Sequence, residues 1–356
     1  LKLRMLCLMR VIAMMLRINL IVFILSFTTF IGATSVKANC LMFGENERLS
    51  NFCLLESVEG KVVDKNTAII VSQRLMQEGY FGGLKTPATT FNVYPDIAYS
   101  NNINGGNPDK PLIVGNLAFE GEPDLVAKEG AVLSLNLRSS ARSTYGEGTY
   151  VDAFVSGAFF ISPKHNLTYT NARLSICSKN RVTGNIYFDG CAVEGTQKKD
   201  ITKSTDKSVT ASVSRLSTLD GLGFVEGKIG VTHLVTDDYS QNQALLSLDT
   251  IHYKNLYSSL TMKFGEALHE QLAMKRGISL ALSSFLYGKK YSLRLSHEYS
   301  NGGMLLGVSR SDKTNKASVT MNISAATQIT VGLTKVESSI DYFNQMYPSI
   351  SLTHAW

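Results

Sequence analysis

The chain has 356 residues, 44% of them hydrophobic and 18% charged, with a formal net charge of +6. Past the N-terminus no stretch stays apolar for the roughly 18 residues a membrane helix needs, which excludes a helical membrane bundle. No basic patch is concentrated anywhere, so nucleic acid is not expected as a partner.

In chain order, residues 1–38 read as a secretory signal. Lys2, Arg4, Arg10 and Arg17 form a basic region, Leu20 to Ile31 an apolar one, and Val36 and Ala38 suit cleavage before Asn39. Removing this segment takes away five basic residues (these four and Lys37) and no acid, so the net charge falls from +6 to +1. The cysteines agree with export. Cys7 lies in the signal, and Cys40, Cys53, Cys177 and Cys191 remain. An even count in an exported chain suggests disulfides, and proximity favours Cys40–Cys53 and Cys177–Cys191. Their spacing does not fit a zinc site.

Residues 39–128 are expected to form a short helical and loop segment on the periplasmic side. One helix is predicted over about 66–79: Asn66 or Thr67 can cap it, Ala68, Val71 and Leu75 share a face, and Gly79 can end it. Phe91 to Asp124, rich in Asn, Gly and Pro, reads as loop.

From about Glu129 to Trp356 the chain alternates with period two. Leu133, Leu135 and Leu137 alternate with Ser134, Asn136 and Arg138; Val155, Phe159 and Ile161 with Phe154 and Ser156; Ala317, Val319 and Met321 with Ser318 and Thr320. Segments of nine to twelve residues can cross a tilted bilayer, whereas soluble sandwich strands are nearer five or six. The expected fold is all-β: a closed antiparallel transmembrane β-barrel of about 14 strands. Closure is required because an open sheet edge in lipid leaves backbone groups unpaired. Strands are predicted to begin near 129, 147, 166, 181, 206, 222, 241, 256, 277, 290, 303, 316, 327 and 346. Turn signals stand at Asn301-Gly302-Gly303, Tyr287-Gly288-Lys289-Lys290 and Ser311-Asp312-Lys313, with longer connectors near 194–205, 266–275 and 337–345. A hairpin centred on Gly184 would face Cys177 against Cys191.

The polar phase carries Arg138, Asp152, Arg173, Asp189, Glu226, Lys228, Lys263, Arg294 and Glu298. These are candidates either to line a pore and set its ion preference or to brace the lumen as mutually paired charges. His233, His252, His297 and His354 fall on the apolar phase, which suits positions beside lipid headgroups. Asp249 with His252, or His233 with Asp237 and Asp238, could act as acid and base of a barrel-embedded hydrolase, but there is no GxSxG nucleophile and no catalytic role is expected. No cofactor and no metal site are expected.

The last strand, Met346 to Trp356, puts Ile350, Leu352, His354 and Trp356 on one face and Ser351, Thr353 and Ala355 on the other. A terminal aromatic on such a strand resembles the closing strand of bacterial outer-membrane β-barrels. That resemblance implies that Ile350, Leu352 and Trp356 act as an assembly signal read by the barrel assembly machinery, with outer-membrane lipid around the barrel. A narrower resemblance lies in the predicted helix (Ala68, Leu75, Gly79) followed by Pro95-Asp96-Ile97-Ala98-Tyr99-Ser100-Asn101-Asn102-Ile103-Asn104. This is similar to the barrel entrance of surface lipoprotein assembly modifiers (Slam-type proteins) and implies a 14-stranded barrel and export of a polypeptide. The chain departs from that family in leaving no room for a full array of helical repeats. The functions expected are therefore transport or export across the outer membrane, of a polypeptide or a small solute, or else a structural or surface-interaction barrel with a plugged lumen.

Overall fold

The computed structural model describes residues 40, 45–59, 65–114, 116–253, 255–324 and 326–354; the predicted signal segment and Trp356 lie outside the described residues. Fourteen antiparallel strands close into a barrel. The first is β1 (Ala88–Ser100). A small hairpin, β2 (Leu112–Val114) and β3 (Leu117–Phe119), follows it outside the barrel sheet. The wall then continues through β4 (Gly130–Gly146), β5 (Thr149–Ser162), β6 (Leu167–Thr183), β7 (Ile186–Lys198), β8 (Lys203–Leu219), β9 (Gly223–Thr236) and β10 (Ser240–His252). It is completed by β11 (Leu256–Gly265), β12 (Ala273–Leu286), β13 (Lys289–Leu305), β14 (Val308–Asn322), β15 (Thr327–Ser338) and β16 (Gln345–His354). From β4 to β16 each strand pairs with its successor, and β1 closes the ring between β4 and β16.

The strand number matches the expected fourteen, but through two compensating differences. β1 lies in the stretch read as loop, and 290–322, read as three strands, forms two. The physical reasons are local. Tyr94-Pro95-Asp96 looks like a turn, yet Pro95 sits where β1 pairs fully with β4 while its pairing to β16 begins only at Asp96. A residue without an N–H is tolerated on a strand with one free edge. Asn301-Gly302-Gly303 is a bulge inside β13. Gly302 has φ +93, and a Cβ there would lie 2.1 Å from the Leu268 carbonyl oxygen, so the glycine admits the 266–272 connector. Ser311-Asp312-Lys313 belongs to β14, where Asp312 faces inward and pairs with Arg310 at 2.6 Å. Tyr287-Gly288 is a two-residue hairpin with both residues at positive φ (+52 and +72), as the primed turns require.

The connectors sort by end. At the end where β1 begins and β16 finishes they run over 147–148, 184–185, 220–222, 253–255, 287–288 and 323–326. The long ones, 101–129, 266–272 and 339–344, all lie at the far end; the connector expected near 194–205 shrinks to 199–202.

Two helices precede the wall: α1 (Glu47–Val58) and α2 (Lys65–Gln77). α2 is the predicted helix, ending as expected before Gly79, which is left-handed at φ +91. α1 was not predicted. Asn46 caps it by accepting the Leu49 N–H at 3.0 Å, and Cys40 bridges to Cys53 across it. Its side chains give it little sequence signature, because polar and apolar residues alike are buried (Arg48 through Leu54) and are not sorted onto separate faces.

Candidate functional site: a plugged lumen

The register fixes the two faces of the wall. Leu133, Leu135, Leu137, Val209, Ile229 and Val231 are 43–64% exposed and share one phase, which is the outside. The opposite phase meets α1. Glu45 pairs with Lys290 of β13 at 2.6 Å, Glu47 with Arg142 of β4 at 2.8 Å, and Arg48 with Asp189 of β7 at 2.7 Å and Glu226 of β9 at 3.3 Å. Asn46 donates to Asp249 of β10 at 3.2 Å. Four consecutive residues can touch strands all around a closed ring only from within it. The segment read as leading into the barrel therefore enters the barrel, and α1 plugs the lumen at the end where β1 begins.

The plug is held by two kinds of contact. Leu49, Phe52, Cys53 and Leu54 pack on an inward ring of Tyr187, Leu216, Phe224, Ile251 and Tyr257. Above that ring sits the charged layer. Arg48 donates through Nη2 and Nη1 to both Asp189 oxygens (2.7 and 3.2 Å), through Nη1 to Ser214 (3.1 Å), and its guanidinium lies 4.1 Å over the Tyr187 ring. Burial works against this charge, yet the hydrogen bond and charge of Asp189 outweigh it and hold Arg48 above its ordinary pKa. Arg142 bridges plug and wall, donating to Glu47 (2.8 and 2.9 Å) and to Asp152 (2.6 and 2.9 Å). Both disulfides stay within their own unit, Cys40–Cys53 in the plug and Cys177–Cys191 on directly opposed positions of β6 and β7. Neither ties the plug to the wall.

Glu78, between α2 and β1, is buried against the plug and accepts from Asn51 at 2.8 Å. Burial raises its pKa from 4.5 to about 7, against the opposing pull of Asn51 and Arg48; Glu47 adds to the rise and Arg142 opposes it. The folded state thus holds a proton the unfolded chain releases. Its contribution is fully present below pH 4.5 and is lost as pH rises through about 7. A Glu78→Gln variant is expected to flatten this dependence. Plug docking followed by limited proteolysis should weaken between pH 5 and 8 in the parent by on the order of 3 kcal/mol and stay level in the variant; parallel profiles would refute the assignment.

All nine predicted lumen residues lie on the inward phase, but they do not form one site. Asp152, Asp189 and Glu226 join the plug network. Lys228 and Arg294 line, with Glu45 and Arg48, a cavity of about 580 Å³ beside the plug tip. Arg138 and Arg173 line a second cavity of about 370 Å³ further up the lumen. Lys263 and Glu298 border neither cavity and make no ion pair among the described residues. Sequence reasoning missed Arg142, Lys179, Glu47 and Arg48. The first two share the phase of Arg138 and Cys177 and could have been found by extending the alternation; the last two precede any alternation. The hydrolase pairings are not assembled. Asp249 faces inward, accepting from Tyr257 at 2.9 Å, while His252 faces outward and bonds Ser258 at 2.8 Å. His233 also faces outward, bonding Asn242 at 2.9 Å, and Asp237 accepts instead from the Thr205 N–H. His297 and His354 likewise bond their outward cross-strand neighbours, Asn315 and Thr327.

The far end is narrowed by the 101–129 connector. Ile103 packs inside on Val132 and Tyr169, Asn104 accepts the Lys128 N–H at 2.9 Å, and Lys110 donates to the Asn344 carbonyl at 2.9 Å.

No protein-family model and no curated protein sequence matches the chain. Among solved structures it is similar to OprB of Pseudomonas putida (7% identity, 81% of this chain and 96% of that one, TM-score 0.42). It is also similar to OccAB3 of Acinetobacter baumannii (6%, 77% and 100%, TM-score 0.38) and to a mutant porin of Rh. blastica (6%, 76% and 100%, TM-score 0.38). Likeness at this level carries no argument about function, which rests on the chain's own geometry.

Proposed function

We propose that the chain is an outer-membrane β-barrel that moves a solute or polypeptide across that membrane, through a lumen its own N-terminal segment closes. The observation that carries this reading is the plug: a disulfide-bonded unit seated non-covalently in a polar lumen with water-sized space above it. The wall supports the membrane part. Its outward phase carries the exposed apolar side chains, such as Leu133, Leu135, Val209, Ile229 and Val231, which suits lipid, and its inward phase carries the charged ones. The short-connector end, which also receives α1 and α2, is the periplasmic end in this reading. Assembly would proceed through the final strand, with Ile350 and Leu352 outward at 53% and 40% exposure and Trp356 completing the signal.

Within transport, export of a surface polypeptide of the Slam type rests on the resemblance around Pro95 to Asn104, a stretch that forms β1 and the start of the connector narrowing the far end. A structural barrel is the second reading. It is favoured by the plug's balanced ion pairs, which would brace a permanently closed lumen.

The test is single-channel conductance in planar bilayers, comparing residues 39–356 with a variant lacking 39–82. The full chain is expected to show small or rare openings and the truncated barrel large steady ones. A truncated barrel that folds, by its heat-modifiable gel mobility, and stays silent would establish the structural reading instead.

A further inference from the structure

We propose that the mid-lumen cavity is a binding site for a small hydroxylated solute bearing one carboxylate. The inference rests on the reading of the lumen as a passage and names what the passage would recognise.

The cavity of about 370 Å³ is built from two adjoining rows of inward side chains. In the first row Arg138 of β4 and Arg173 of β6 both stand opposite Ser156 of β5. Two strand spacings, about 10 Å, separate their Cα atoms, and long side chains can converge on one anion above the serine. Continuing round the wall, Arg173 faces Gly195 and Gly195 faces Asp206. Gly195 leaves the recess open; a Cβ there would come 2.6 Å from Asp206 Oδ1.

The two arginines differ from Arg48, Arg142 and Arg310, and share with Arg294 of the cavity beside the plug the lack of an ion pair among the described residues. Arg48, Arg142 and Arg310 are paired with carboxylates, whereas Arg138 and Arg173 make no ion pair among the described residues and are exposed to the lumen. Arg138 lies 5.3 Å over the Tyr94 ring, which orients it without neutralising it. Two guanidiniums and the Asp206 carboxylate leave the lining at +1, which suits a singly charged anion. A guanidinium meets a carboxylate in a bidentate fork. The second row supplies neutral hydrogen-bonding groups. Asn136 and Asn171 both stand opposite the small Ala158, and Asn171 faces Gln197. Amides that both donate and accept suit hydroxyl groups, which do the same.

The test uses the mature chain refolded in detergent micelles and titrated calorimetrically with D-glucuronate, with D-glucose as the neutral counterpart. Glucuronate is expected to bind saturably and at least 10-fold more tightly than glucose. Arg138→Gln and Arg173→Gln should each weaken it about 10-fold, while Lys263→Gln, a lumen cation outside the cavity, should change nothing. Equal binding of the two sugars, no binding, or an equal loss from Lys263→Gln in barrels of unaltered gel mobility would overturn the site. Its failure is separable from that of the transport reading. A barrel silent in bilayers that still prefers glucuronate keeps the site and loses the passage; a conducting barrel without preference does the reverse.

Discussion

Arg48→Met is expected to unseat the plug. The substitution keeps an unbranched apolar side chain but removes the guanidinium from over Tyr187 and leaves Asp189 and Glu226, 3% and 1% exposed, without their shared cation. Breaking a buried pair in this way costs about 3–5 kcal/mol. The low end applies here, because Lys179 stands 3.2 Å from Asp189 and can still offset one of the two charges. The strand pairing of the barrel is untouched, since Arg48 belongs to no strand. Trypsin should therefore cut within 45–82 of a barrel whose heat-modifiable mobility is unaltered, and conductance should rise toward that of the truncated form. Arg48→Lys, which keeps the charge and loses the fork to both Asp189 oxygens, should fall between. A segment fully protected from trypsin in Arg48→Met would show that the apolar ring alone seats the plug.

Gly79→Ala is expected to have a comparable effect by a different route. Gly79 is left-handed, and an added Cβ would sit 1.9 Å from the Gly146 carbonyl oxygen and 3.3 Å from that of Thr149. The conformation alone costs an L-residue about 1–2 kcal/mol. The clash is with backbone of the β4–β5 hairpin and forces the chain to move. Beside it the Gly148 N–H donates to the Glu78 carbonyl at 2.8 Å, a bond that docks the end of α2 on that hairpin. Hydrogen exchange at the Gly148 amide should accelerate at least 10-fold in Gly79→Ala. Gly82→Ala provides the comparison: it has φ +85 with open space around its Cβ, and should pay the conformational cost without the clash. Equal exchange in both variants would refute the close approach as the cause.

The barrel was legible in the sequence and the plug was not, and the reason is physical. A strand facing lipid on one side and a wet lumen on the other must alternate, so Leu133, Leu135 and Leu137 declare the outside and Arg138 the inside. The Cys177–Cys191 pairing could be foreseen because cross-strand neighbours follow from hairpin register. The same polarity misleads where the wall turns. Ser311 to Lys313 and Asn301 to Gly303 have turn composition because a lumen position is as polar as a turn, and only the pairing tells them apart. Arg48 and Glu47 carry no periodic signal. Their role arises from Asp189, Glu226 and Arg142, residues about 95–180 positions away in sequence, brought together by closure of the ring.

That ring is nearly all local in sequence. From β4 to β16 the chain is a meander in which every strand meets the one just made. β1 pairs along its whole length with β4 and, among the described residues, with β16 at Asp96–Thr353, Ile97–Leu352 and Ala98–Ser351. The Thr353 hydroxyl donates to Asp96 at 3.1 Å across a separation of 257 residues. Loop entropy makes so distant a contact expensive to form. Joining β1 to β16 is thus the step that turns a meander into a barrel, and it pairs the two edges that lipid cannot leave open.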